Sequence, residues 1–201
     1  MPGHAGLEEA VDIFDRINSR GTKLTDAELA LTHVTAKWPK ARRVLKAKKD
    51  LCAERDFDFN LTFMTRALVT TVTGRALYEF IHPRPLPDLQ TGWKTLDNVL
   101  DYLMNVLPKA AQIHGTDDLS TTNALIPLIA YPSRTNGVFP SQKSAQHAVN
   151  WLYAALMWAR YTAQTDQRLE ADLSIVAKEV EPWAKLRANI IEQRGRIDVK
   201  S

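Results

Sequence analysis

Seven residues at positions 16–22 read Arg-Ile-Asn-Ser-Arg-Gly-Thr. An arginine at a helix end, followed by Asn18, Ser19, Gly21 and Thr22 in a turn that leads into another helix, brings together a cation, hydroxyls and backbone N–H groups that no helix partner claims. That set suits a phosphate group. Arg16, Asn18, Ser19, Gly21 and Thr22 are therefore the candidate nucleotide or phosphate ligands. The same residues also read as plain turn punctuation, with Asn18 and Gly21 taking left-handed geometry and Arg16 solvated.

A second constellation is the basic run Lys37, Lys40, Arg42, Arg43, Lys46, Lys48 and Lys49, with Trp38 beside it as a stacking surface. On one helix these cations cover overlapping faces, as a surface that tracks a phosphate backbone requires. Lys40, Arg42, Arg43, Lys46 and Lys49 are the candidate DNA contacts. Against this stands a merely solvated helix, balanced by Asp50, Glu54 and Asp56 just beyond it.

Other chemistry fails on spacing. His4, His33, His82, His114 and His147 form no i, i+4 pair and have no cysteine companion, so no metal site is expected. Asp117 with Asp118, Asp56 with Asp58, and Glu170 with Asp172 read as caps and surface charge, with Asp118 or Ser120 capping the helix that holds Asn123 and Asp166 the one that holds Leu169. Cys52 has Lys48, Lys49 and Arg55 nearby to lower its pKa, yet no base to activate it. No catalytic residue is assigned.

The elements that carry these residues read as helices throughout. Residues 7–17 place Leu7, Ala10, Val11, Ile13, Phe14 and Ile17 on one face and mostly acidic side chains opposite. Thr25 and Glu28 have capping-box spacing, which predicts a helix over 25–37. Pro39 suits the first turn of a helix over 40–55, and Leu61, Met64, Leu68 and Val72 favour helix over 61–72 despite its β-branched end. The three prolines of 82–87 predict extended chain. Leu96, Val99, Leu100, Leu103, Met104 and Leu107 predict a helix over 93–113, kinked at Pro108. A short distorted helix follows at 122–131 and a loop at 133–140. Helices are then expected over 141–161, with Val149, Leu152, Leu156 and Ala159 inward, along the stripe Leu169, Leu173, Val176 and Val180, and over 182–194. Trp151, Trp158 and Trp183 sit in apolar stripes and read as core.

The 201 residues are 45% hydrophobic and 24% charged, an ordinary globular mix that suits one compact body or one with a detachable start. A net charge of +3 means that any affinity for nucleic acid comes from the placement of cations rather than their excess. With no export signal and no apolar run of about 18 residues, membrane insertion is not expected and the cytoplasm is the default.

The string Phe14-x-Arg16-x-Asn18-Ser19-x-Gly21-Thr22-x-Leu24-x-x-x-Glu28-Leu29 resembles a hallmark of the N-terminal-domain family of GmrS/GmrD-type modification-dependent restriction enzymes, which have a ParB-like fold. Trp151, Ala159-Arg160-Tyr161 and Thr165-x-x-Arg168-Leu169-x-x-Asp172-Leu173 resemble the helical region that follows in that family. The resemblance implies an all-α, irregular multi-helix bundle lacking the strands of the ParB-like half, with 1–38 as the tail of a nucleotide-site domain and 39–201 as a helical domain. It also implies a non-catalytic part of a truncated restriction or phage-defence protein, holding half a nucleotide site. No cofactor is then expected on this chain alone; a nucleoside triphosphate and a divalent cation would belong to a complete assembly. DNA, and a missing ParB-like half or a nuclease subunit, are the expected partners, while oligomeric state stays open. The other reading is a standalone or degenerate protein-interaction module with no nucleotide or DNA activity.

Overall fold

The computed structural model describes residues 24–194. The helix expected over 7–17 and the candidate ligands Arg16, Asn18, Ser19, Gly21 and Thr22 lie outside the described residues. Within them the chain forms eight α-helices and three short 3-10 turns with no strand, the all-α irregular bundle expected from the sequence.

Helix α1 (Asp26–Lys37) starts where the capping box predicts: the Thr25 N–H donates to Glu28 Oε2 at 2.8 Å, and the Glu28 N–H donates to Thr25 Oγ1 at 3.3 Å. Helix α2 (Ala41–Ala53) buries Ala41, Leu45, Lys48 and Cys52, and Pro39 lies ahead of its N-cap, Lys40, rather than in its first turn. Helix α3 (Leu61–Thr73) is capped by Asn60, whose Oδ1 accepts from the Phe63 N–H at 2.7 Å, and ends at Gly74 with φ +70, where a side chain would be strained.

Helix α4 (Leu86–Ala111) starts seven residues earlier than its apolar stripe suggests, because Pro87 occupies the first turn, where its missing N–H is not needed. The extended proline segment therefore shrinks to the approach to α4, with Pro85 as N-cap. Gly92 lets this helix press on α3: a Cβ there would stand 2.3 Å from Val72 Cγ2. Pro108 is accommodated inside the helix.

Helices α5 (Ile126–Arg134), α6 (Gln142–Met157), α7 (Thr165–Lys178) and α8 (Trp183–Arg194) complete the bundle. Helix α3 packs against both α4 and α5, α5 against α7, and α6 against α8. One core spans them all, with Met64, Leu68, Leu96, Leu100, Ile129 and Leu152 fully buried. An aromatic cluster of Tyr131, Phe139, Trp151 and Trp183 closes its far end, with Trp183 edge-on to Tyr131 at 5.2 Å between ring centres.

Several expected positions moved. Helix α6 stops at Met157, with Trp158 as a half-buried C-cap and Ala159 outside the helix at φ +48. Val180 falls beyond α7 and is 83% exposed, so the inward stripe ends at Val176. Arg134 belongs to α5 and not to the following loop. Thr121, rather than Asp118 or Ser120, caps the turn that holds Asn123, and Asp118 instead accepts from the His114 N–H at 2.7 Å. Asp166 is drawn off to Arg66, 2.7 Å away, and caps nothing.

Candidate cationic cleft

The amphipathic phase of α2 divides its basic residues. Ala41, Leu45, Lys48 and Cys52 recur at helical spacing on the buried face, so Arg42, Lys46 and Lys49 fall together on one flank. Arg43 lies farther round the exposed side, and Lys40 sits at the N-cap toward the other flank. The five candidate DNA contacts are thus three together and two apart.

Arg42, Lys46 and Lys49 face the chain that enters α3, and with Asp58, Phe59, Asn60 and Leu61 they line a cleft of about 490 Å³. The loop opposite them is held from outside. Thr116 donates its N–H to the Asp56 carbonyl at 3.0 Å, and its hydroxyl accepts from the Asp58 N–H at 3.2 Å. Gly115 permits this clasp, since a Cβ there would stand 2.5 Å from the Asp56 oxygen. Asn60 then turns the chain into α3, leaving the positive end of that helix dipole at the cleft.

Charge in the cleft is unevenly distributed. Lys49 is half-buried, 3.1 Å from Asp50 and 3.9 Å from Asp58, whereas Arg42 and Lys46 are exposed. Glu28 lies on the Arg42 side: hydrogen bonds from the Thr25 backbone and hydroxyl, and in smaller measure the Arg42 charge, lower its pKa.

The remaining members of the basic run serve the fold. Lys48 is buried and reaches Asp97 at 2.6 Å and Asp101 at 2.8 Å, pinning α2 to α4. Burial opposes its charge, but the hydrogen bonds to Asp101 and Asp97, with their charges, outweigh it and raise its pKa. Lys37 donates to the carbonyls of His82 and Arg84, anchoring the segment ahead of α4. Trp38 is packed near Trp93, 6.4 Å between ring centres, and offers no stacking face.

Cys52 does not behave as its basic neighbours suggest: burial pushes its pKa up to about 11. Among the described residues, no three His, Cys, Asp or Glu side chains converge to hold a metal ion, and no helix is long and apolar enough to cross a membrane.

The paired motifs near the C-terminus meet in the interior. Arg160 Nε donates to Asp172 Oδ2 and its Nη2 to Asp172 Oδ1, both at 2.6 Å, in a two-pronged ion pair that leaves Asp172 with no exposure. The Tyr161 hydroxyl and the Asn189 amide donate to the same carboxylate. Burial opposes the Arg160 charge, but the bonds to Asp172 prevail and raise its pKa, while burial and then the Asp172 charge push Tyr161 well above its ordinary value. With Arg160, Tyr161 and Asp172 all buried, this constellation acts as a lock between α7, α8 and the turn after α6.

Sequence reasoning missed Asp58, Phe59 and Asn60 as cleft residues. The signal was present, since an Asn directly ahead of an apolar helical run is a strong cap and marks where a helix dipole points.

The fold and cleft together define an all-helical bundle with a cationic cleft at a helix N-terminus. Compared with protein families, with curated proteins and with solved structures, the chain finds no match.

Proposed function

We propose that this chain is a helical, non-catalytic part of a restriction or phage-defence protein and that it contacts nucleic-acid phosphate through the α2 flank. The observation that carries the reading is the convergence of Arg42, Lys46 and Lys49 on one cleft at the N-terminus of α3. Three cations and a helix dipole favour an anion, and a shallow cleft beside an exposed helix suits a polymer backbone better than an enclosed small molecule. The restriction-system context rests on the resemblance of positions 14–29, and there Arg16, Asn18, Ser19, Gly21 and Thr22 supply half of a nucleotide site.

Titration of duplex DNA against salt tests this. Three phosphate contacts give a slope of log K on log salt of roughly −2.7, and each of R42Q, K46Q and K49Q removes about 0.9 from it. A slope that these substitutions leave unchanged, or no binding at low ionic strength, overturns the reading. On its own the chain hydrolyses no nucleoside triphosphate; metal-dependent turnover that is lost in R16A would overturn the half-site assignment.

A further inference from the structure

The cationic cleft also holds one carboxylate. Asp58 lies on the chain that enters α3, 78% exposed, in the same cleft as Arg42, Lys46 and Lys49. Its backbone is fixed there, because the Asp58 N–H donates to the Thr116 hydroxyl at 3.2 Å and the nearby Asp56 carbonyl accepts from the Thr116 N–H at 3.0 Å. The carboxylate stands 3.9 Å from Lys49, which Asp50 also approaches at 3.1 Å. The Lys49 end of the cleft is therefore largely compensated, while Arg42 and Lys46, four residues apart and exposed, keep the other end positive. A carboxylate so placed weakens the hold on every anion, and weakens most the one that brings the most charge into the smallest volume.

We propose that Asp58 determines specificity: it lets the cleft accept the phosphodiester backbone of a nucleic-acid strand and reject compact polyphosphates, free nucleoside triphosphates among them. The inference rests on the phosphate reading of α2 and deepens it. A backbone carries one charge per nucleotide and spaces those charges along the strand. One phosphate can then take Arg42 and Lys46, and the strand runs on along α2, whose rise from Arg42 to Lys49 is about 10 Å, without setting a second charge against Asp58. A diphosphate or triphosphate has its charges on adjoining phosphoryl groups, so engaging the same three cations brings one of those groups up to the carboxylate. Each like-charge contact of this exposed kind costs up to about fivefold in affinity.

Competition on the full chain tests it. Pyrophosphate displaces a labelled DNA duplex from the wild type and from D58N, at constant ionic strength and without divalent cations. D58N keeps the backbone bonds to Thr116, so the loop stays in place. In D58N the inhibition constant of pyrophosphate falls at least about fivefold further than the dissociation constant of DNA. An equal change for the two ligands overturns the proposal and leaves the phosphate reading standing. D50N removes the same charge from beside Lys49 but outside the cleft lining, and a shift in preference as large as that of D58N also overturns it, because net charge alone then decides. No DNA binding by the wild type at low ionic strength overturns the phosphate reading and this inference with it.

Discussion

Replacing Asp172 by alanine removes the one carboxylate that serves Arg160, Tyr161 and Asn189 together. Arg160 retains its charge, with its side chain only 2% exposed, and the substitution takes away the carboxylate that receives both prongs of its guanidinium. Breaking a buried pair in this way costs about 3–5 kcal/mol, and no solvent screening reduces the figure at a site so enclosed. A fold of this kind commonly has about 5–15 kcal/mol in total, so the loss is a large share of its stability. Urea unfolding monitored by helical circular dichroism should show a lower midpoint with an unchanged slope. The melting temperature should fall by roughly 6–20 °C, given about 2–4 °C per kcal/mol for a domain of this size. Removing both charges in R160M/D172L should recover much of the loss, since apolar replacement of a buried pair is often close to neutral. A loss under about 1 kcal/mol in D172A, or a double variant no better than the single one, would refute the lock.

Gly92→Ala forces a methyl group onto Val72 and should destabilise the bundle by about 1–3 kcal/mol, measurable by the same unfolding experiment. Burial, and after it the charges of His33 and Lys37, lower the pKa of His82, whose ring stacks on His33 at 4.1 Å. Because the folded pKa lies below the unfolded one, this contribution is complete above about pH 6.5 and is lost as pH falls through the folded value. H82Q should flatten the decline of stability over that acidic window. Cys52, with its pKa near 11 and no exposure, should resist a thiol reagent such as dithionitrobenzoate at pH 8 and react at once on unfolding.

Features written in neighbouring residues were readable in advance. The capping box of Thr25 and Glu28 is local, and α1 forms where it predicts; the stripe from Leu96 to Leu107 marks a helix, although α4 starts seven residues ahead of the expected bound. The inward turn of Lys48 was readable too, since it shares its phase with Ala41, Leu45 and Cys52, although charge argued for the surface. The partners were not readable. Nothing near Asp166 indicates that Arg66, a hundred residues earlier, will take it from the start of α7, and Asp118 turns back to His114 because of how its loop closes. The cleft was half legible: the α2 cations stood out, while Asp58 to Asn60 acquire their place only when Gly115 and Thr116 clasp the loop from another part of the chain.

The lock around Asp172 also has an order in time. Arg160, Tyr161 and Asp172 lie within a stretch of thirteen residues and can find one another as soon as that stretch has left the ribosome, but Asn189 emerges seventeen residues later on α8. Until then one donor to the carboxylate is missing, and Trp183, Leu186 and Ile190 have not yet covered their share of the core. A chain cut short by a premature stop ahead of α8 would expose that unfinished interior to cellular proteases. Helix α8 thus closes last what the preceding turn and helix begin.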